Sequence, residues 1–505
     1  MSGFSEYSNH DGLGLAALVQ EGEVSSAELV ETAIQRIERV NPQLNAVVQT
    51  MYDEGRARAR EADAVPKDER GPFHGVPLLL KDLVALYEGF PTTASSRFFK
   101  DFVAGYDSEL VKRYRKAGFV VCGKTNTPEL GIVAYTEPEL RGPTHTPWRL
   151  GHTSGGSSGG AGAVVGAGVM PIAHGGDGGG SIRIPSSCCG IFGLKPTRGM
   201  TPAGPDASDA WGGLAIQHVL TRSVRDCAAA LDATGGPERT SWYRVENHDV
   251  PFLEQAGRPG KPLRIAVSTR PHLPTDGVHS DCVAAVDDAA KLCADLGHDV
   301  FERDLQVDPA ELAENFLMHL VVEVATEIEL AGQALGKKPT KADFEQQTWL
   351  LNMVGRQIPA VRSKMAWKTL QRVAREVATA YEDFDVLLTP TLGLPPVKIG
   401  ELKPSGVDAI AQTVVAKANL GPVLRIPGLL AQMAQKIFRF IPFTPLANVT
   451  GQPSMSVPLY WNQKNLPIGT MFTAAQGADG MLLRLAAQLE EARPWKDRRP
   501  VIHAF

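Results

Sequence analysis

The sequence predicts an α/β fold, and three observations carry that prediction. Segments with helical periodicity alternate with short apolar runs, as where SELVKRYRKAG (Ser108–Gly118) leads directly into FVVCGKT (Phe119–Thr125). Runs such as FDVLLTPT (Phe384–Thr391) are apolar almost throughout, the pattern of strands buried on both faces. Of the 505 residues 43% are hydrophobic and 21% charged, which supplies a large core and rules out a disordered chain.

Taken in order, Ser25 and Glu28 form a capping-box pattern at the head of a helix in which Leu29, Ala33, Ile34 and Ile37 share one face. NAVVQT, from Asn45, reads as a strand, and GVPLLLKDL (Gly75–Leu83) as a short apolar run that ends in a lysine. Residues 151–193 stand apart, with 15 Gly and six Ser in 43 positions. Within them AGAVVGAGVMPIAHG (Ala161–Gly175) has the composition of a small-residue helix packed tightly on a sheet. Further on, LRIAVST (Leu263–Thr269) and HDVFERDL (His298–Leu305) read as strands around a helix at Cys282–Leu296. Residues 309–383 read as mostly helical, and residues 402–441 as an irregular helical insertion near a pocket. SMSVPLYW (Ser454–Trp461) reads as a strand and Gly480–Ala492 as a helix. With no internal repeat and no low-complexity linker, residues 1–505 are expected to form one domain.

Several function classes are disfavoured. A net charge of -5 gives no broad basic face for nucleic acid. The six cysteines, at 122, 188, 189, 227, 282 and 293, form no CxxC, so neither a zinc site nor a thioredoxin-like motif is expected. Sparse cysteines fit a reducing compartment. The polar start MSGFSEYSNHDG is no signal peptide, and no run approaches the ~18 apolar residues of a membrane span. The expectation is a cytoplasmic protein without a membrane partner.

The Gly/Ser block admits four readings. A flexible linker is disfavoured by its interleaved apolar residues. GGAGAVVGAG only approximates a dinucleotide loop, missing its third glycine and the following acidic residue. Gly155–Gly159 fits G-x-S-x-G, but a nucleophile elbow needs a strand before the serine, and GHTSGG is none. The fourth reading joins the block to other pieces: GVPLLLKDL with Lys81, GKTNTPE (Gly123–Glu129), TSGGSSGGAGA (Thr153–Ala163), GDGGGSIRIPSSCCGIFGLKPTRG (Gly176–Gly199) and PLANVTGQPSMSVP (Pro445–Pro458). In these pieces the chain resembles the amidase signature family over nearly its whole length, and within that family the bacterial hydrolases of 6-aminohexanoate oligomers, cyclic dimers and related amides.

The resemblance implies a central mixed, twisted β-sheet covered by helices on both faces. It implies a core at about 65–240 and 440–490, with variable pocket segments at about 309–360 and 402–441. It also implies a Ser-Ser-Lys triad. Ser181 is then the nucleophile, Ser157 the relay preceded by a cis Gly156–Ser157 peptide, and Lys81 the base. Backbone N–H groups of Gly178, Gly179, Gly180 and Ser181 would form the oxyanion hole, since glycine lets the backbone approach a substrate oxygen closely. The family pattern has Thr before the aspartate and Thr or Ile after it, where this chain reads Gly176-Asp177-Gly178. Asp177 and Arg183 either brace this loop or form an ordinary structural ion pair.

The residues suit the chemistry. A serine hydroxyl needs a base within hydrogen-bond reach. His152 and His174 lie near the block, yet neither stands in a triad context. Lysine serves if burial keeps it neutral, and Val76–Leu80 give Lys81 an apolar approach. No metal or organic cofactor is then required. The substrate is expected to be a small or oligomeric amide with an apolar acyl or aryl group, cyclic amides, esters and carbamates staying open, as does a homo-oligomer. The alternative is the A-type subunit of a tRNA-dependent amidotransferase, which works with partner chains. A non-catalytic binding protein on a decayed scaffold is disfavoured because all three triad positions are filled.

Overall fold

Alternation of side chains along the strands decides this architecture. The structure is a computed structural model that describes residues 4–504 except 243, 244, 246–248 and 405–433. Its strands are β1 (Val47–Thr50), β2 (Pro77–Lys81), β3 (Val120–Thr125), β4 (Ile172–Asp177), β5 (Phe192–Lys195), β6 (Ile216–Thr221), β7 (Arg264–Val267), β8 (Asp299–Glu302), β9 (Val386–Pro390), β10 (Ser454–Trp461) and β11 (Pro467–Ala474). They form one sheet in the order β1-β3-β2-β4-β6-β5-β10-β11-β9-β7-β8. The β3/β2, β2/β4, β9/β7 and β7/β8 pairs are parallel and the rest antiparallel, so the sheet is mixed.

Successive residues of a strand point to opposite faces. Leu79, Val120, Ala173 and Leu220 accordingly pack into one apolar cluster with the helix Ser26–Leu44 and the short helices Gly159–Gly166 and Arg183–Cys189. Their neighbours Leu78, Leu80, Val121, Ile172 and Val219 pack into another, with Leu15, Tyr114 and Ala229. Both faces are therefore covered, and strands so enclosed carry no polar face. That is why β2 and β3 read as continuous apolar runs in the sequence.

The capping box forms as expected. Ser25 Oγ accepts the Glu28 N–H at 3.1 Å while Glu28 Oε2 accepts the Ser25 N–H at 3.0 Å. The helix behind it buries Leu29, Ala33, Ile34 and Ile37. The strands expected at Asn45, Leu263, His298, Phe384 and Ser454 appear as β1, β7, β8, β9 and β10, and the helices expected after Ser108 and Cys282 span Glu109–Lys116 and Ser280–Asp295. Residues 309–383 hold the helices Pro309–Ala334, Gln346–Gly355 and Ala360–Ala380.

One expectation is corrected. Residues 161–175 are not one small-residue helix: the helix Gly159–Gly166 ends, Gly168 turns the chain at φ 71°, and the chain continues past Pro171 as β4. The helical part does meet the core through missing side chains. A Cβ on Gly160 would lie 2.4 Å from the Asn126 nitrogen. Of the insertion expected at 402–441, residues 405–433 lie outside the described residues, and Gln435–Phe440 is helical. Among the described residues no helix is long and apolar enough to cross a membrane.

Candidate active site

Because β2 and β4 run parallel, their last residues, Lys81 and Asp177, emerge at the same end of the sheet. Lys81 has the strand parity of Leu79, whose cluster contains the glycine-rich helix beginning at Gly159. The turn leading into that helix carries Ser157, and the Gly156–Ser157 peptide is cis. Lys81 Nζ and Ser157 Oγ lie 2.8 Å apart, with both side chains 2% exposed. Burial pulls the lysine pKa down from 10.5 to about 7, opposed by the charge of Asp177. Gly131 backs this pair. It holds φ 68°, and a Cβ there would lie 3.2 Å from Ser157 Oγ and 2.6 Å from Leu83 Cδ2.

Asp177 organises the next turn. Its carboxylate accepts N–H groups from Gly180 at 2.8 Å, Ile182 at 3.2 Å and Arg183 at 3.4 Å. It pairs bidentately with the Arg183 guanidinium at 3.0 and 2.9 Å, both side chains fully buried. Asn448 Nδ2 donates to Asp177 Oδ1 at 2.8 Å and to the Asp177 carbonyl at 2.9 Å, and Asn448 Oδ1 accepts from Arg183 Nη2 at 2.7 Å. Although burial opposes it, the charge and hydrogen bonds of Arg183 and the Asn448 amide hold the Asp177 pKa at about 2. Of the two sequence readings of this pair, the buried network favours bracing of the loop. The same geometry corrects one expectation: the Gly180 N–H is committed to Asp177, so it is no free donor for a substrate oxygen. Gly178, Gly179 and Ser181 are left.

Ser181 sits at the end of that turn, nearly buried, and its carbonyl accepts the Ser158 N–H at 3.3 Å, which brings the two turns together. Its hydroxyl makes no hydrogen bond to Ser157 or to another described residue. With Gly179 it borders a cavity of about 120 Å³. The wall is almost wholly apolar. Ile132 and Ile184 stand near the turns, Phe316, Leu320 and Leu350 come from two helices of the 309–360 segment, and Phe438 comes from the end of the 402–441 segment.

Neither histidine offers a base. His174 is fully buried on β4, its Nδ1 accepting the Lys81 backbone N–H at 3.2 Å and its Nε2–H donating to Gln217 Oε1 at 3.1 Å. Burial, then the nearby Lys81, pushes its pKa down to about 3. His152 is half-buried beside the Leu150 carbonyl. Sequence reasoning assigned no role to Asn448, although it lies within the quoted PLANVT motif, and it missed Gly131, Trp211 and Gln347, which border the cavity without any local pattern.

The chain as a whole, rather than this site alone, has counterparts among known proteins. The Amidase family profile matches residues 28–483. The chain belongs to the amidase signature family. It is an amidase, a hydrolase of amide bonds. This amidase is 36% identical over 496 residues to 6-aminohexanoate-cyclic-dimer hydrolase of Pseudomonas sp. (strain NK87), covering 97% of this chain and 96% of that protein. The solved structure of 6-aminohexanoate cyclic dimer hydrolase complexed with substrate matches it with a TM-score of 0.88 at 36% identity, over 99% of this chain and 100% of the other. A bacterial aryl acylamidase of the same family matches with a TM-score of 0.84 at 26% identity, over 97% and 99% of the two chains.

Proposed function

We propose that this amidase cleaves its substrate through a serine acyl-enzyme, with Ser181 as nucleophile, Ser157 as proton relay and Lys81 as base. The observation that carries the reading is the 2.8 Å contact between a buried, readily neutralised amine and the Ser157 hydroxyl, at the turn whose neighbour bears Ser181. In acylation Ser181 Oγ attacks the carbonyl carbon. Its proton passes to Ser157 Oγ as the Ser157 proton passes to Lys81 Nζ. The negative oxygen of the tetrahedral intermediate is met by the backbone N–H groups of Gly178, Gly179 and Ser181, a donor such as these being worth ~10²–10³ in rate. Collapse breaks the carbon–nitrogen bond, and the lysine proton returns through Ser157 to the leaving amine. Water, deprotonated by the same relay, then attacks the Ser181 ester and releases the acid.

The apolar cavity beside Ser181 supports a substrate with an uncharged, apolar acyl or aryl body, small or oligomeric. The amides named for the relatives fit that description. Esters and carbamates present the same carbonyl to Ser181 and belong in the same screen. Free, buried cysteines support a reducing compartment such as the cytoplasm. Lys81→Ala and Ser181→Ala are expected to lower hydrolysis of a chromogenic anilide by about 10⁴-fold or more, and a serine-reactive phosphonate should label Ser181 alone. Near-wild-type turnover in either variant refutes the roles. Hydrolysis by the purified chain without partners excludes the amidotransferase-subunit reading.

A further inference from the structure

Among the described residues the cavity wall beside Ser181 holds one carboxamide, that of Gln347 on the helix Gln346–Gly355. Its orientation is set by a neighbouring phenol. The Tyr135 hydroxyl donates to Gln347 Oε1 at 3.1 Å, and Tyr135 is itself buried. The start of the helix is tied to the same side, because the Glu345 N–H donates to buried Glu129 Oε2 at 2.8 Å. Residues 129–135 thus hold the helix at two points, and Gly131–Ala134 of that stretch also border the cavity. With its oxygen engaged, the Gln347 amide turns its Nε2–H₂ group elsewhere, and no described residue accepts a hydrogen bond from it. A fixed donor with no protein acceptor, set in an apolar wall, is the arrangement by which pockets impose specificity.

We infer that Gln347 determines specificity: its Nε2–H₂ group donates to a second, neutral carbonyl oxygen carried by the substrate away from the scissile bond. The inference rests on the reading that the cavity beside Ser181 takes the substrate. It narrows the substrate class from apolar amides in general to those with a second carbonyl, such as diamides and oligoamides. A carboxylate is a poor occupant, because among the described residues no charged side chain borders the cavity to offset its desolvation. A plain alkyl chain leaves the donor unpaired, which costs the plain substrate affinity. The group is held before binding, so little ordering entropy opposes the contact.

The test uses the full chain and a matched series. Anilides of ω-acetamido acids with three to seven methylenes are compared with plain acyl anilides of equal length. Dissociation constants are measured by calorimetry on Ser181→Ala, and KM and kcat on the wild type. At the best chain length the acetamido compound should bind about tenfold more tightly, with the difference in KM and little in kcat. Gln347→Leu should erase that preference, and Tyr135→Phe, which frees the carboxamide to rotate, should reduce it. Equal binding of both series at every length overturns the inference, as does a preference that survives Gln347→Leu. Binding decides this without turnover: a clear preference in Ser181→Ala beside an inactive wild type upholds Gln347 and sinks the hydrolytic mechanism instead.

Discussion

The pH dependence of turnover tests the protonation state on which the mechanism depends. The perturbation is the proton concentration, and the group addressed is Lys81. A solvated lysine with a pKa of ~10.4 is neutral in only about one molecule in 2,500 at pH 7. Burial lowers Lys81 to about 7, so half the molecules carry the free base at that pH, a gain of about 10³ in competent enzyme. The sign follows from which form burial disfavours. The charged amine is disfavoured, so the neutral form accumulates above pH 7 and is lost below it. Accordingly kcat/KM for a chromogenic anilide should fall about tenfold per unit below pH 6 and level off above pH 8. The phosphonate labelling rate of Ser181 should trace the same limb, because it needs the same base and no leaving amine. Other groups titrate nearby: burial raises Glu129 to about 7 and lowers Lys195 to about 7. Glu129→Gln should therefore keep the limb where it is. A flat profile from pH 5 to 9, or a limb near pH 10, would refute the assignment of Lys81 as the neutral base.

Two further outcomes are expected. Asp177→Asn leaves the Arg183 guanidinium buried without its counter-charge, at a cost of about 3–5 kcal/mol, read as a drop in the urea midpoint. Its residual activity should show the acid limb displaced to lower pH, since the Asp177 charge opposes the fall in the Lys81 pKa. Gly131→Ala places a methyl 2.6 Å from Leu83 Cδ2 and 3.2 Å from Ser157 Oγ at φ 68°, and about 1–3 kcal/mol of strain with a fall in kcat larger than any change in KM is expected. Wild-type kcat in that variant would show that Gly131 does not fix the relay hydroxyl.

The strand carrying Lys81 could be read from the sequence because β2 is buried on both faces, and such a strand shows as an unbroken apolar run. The glycine-rich turns were visible for a different reason, since composition alone marks a backbone that must pack closely. The boundary inside residues 161–175 was not visible. Helix Gly159–Gly166 and strand β4 are both short, apolar and small-residued, and periodicity cannot separate two such elements when neither exposes a polar face. The commitment of the Gly180 amide to Asp177 was equally hidden, because it depends on how a three-residue turn folds back on its own carboxylate. The Tyr135–Gln347 contact spans 212 residues, and no local pattern encodes a pairing of that separation.

The two buried charge systems at this end of the sheet depend on each other. A lysine with a carboxylate nearby would ordinarily hold its proton, and a protonated Lys81 cannot accept one from Ser157. Asp177 lies close enough to oppose the fall in the Lys81 pKa, yet that fall persists. The reason is that burial of the amine outweighs the carboxylate's attraction, and Asp177 is itself engaged: Arg183 meets both carboxylate oxygens, and three backbone amides and Asn448 take up the rest. Arg183 sets its positive charge against that carboxylate, which lessens the field at the amine without abolishing it. Burial keeps the base neutral, and the ion pair that shapes the nucleophile's turn limits how far Asp177 opposes it. On this reasoning Arg183 contributes to basicity without touching substrate, and a neutral residue in its place would expose Lys81 to an unpaired carboxylate and raise its pKa toward that of an ordinary lysine.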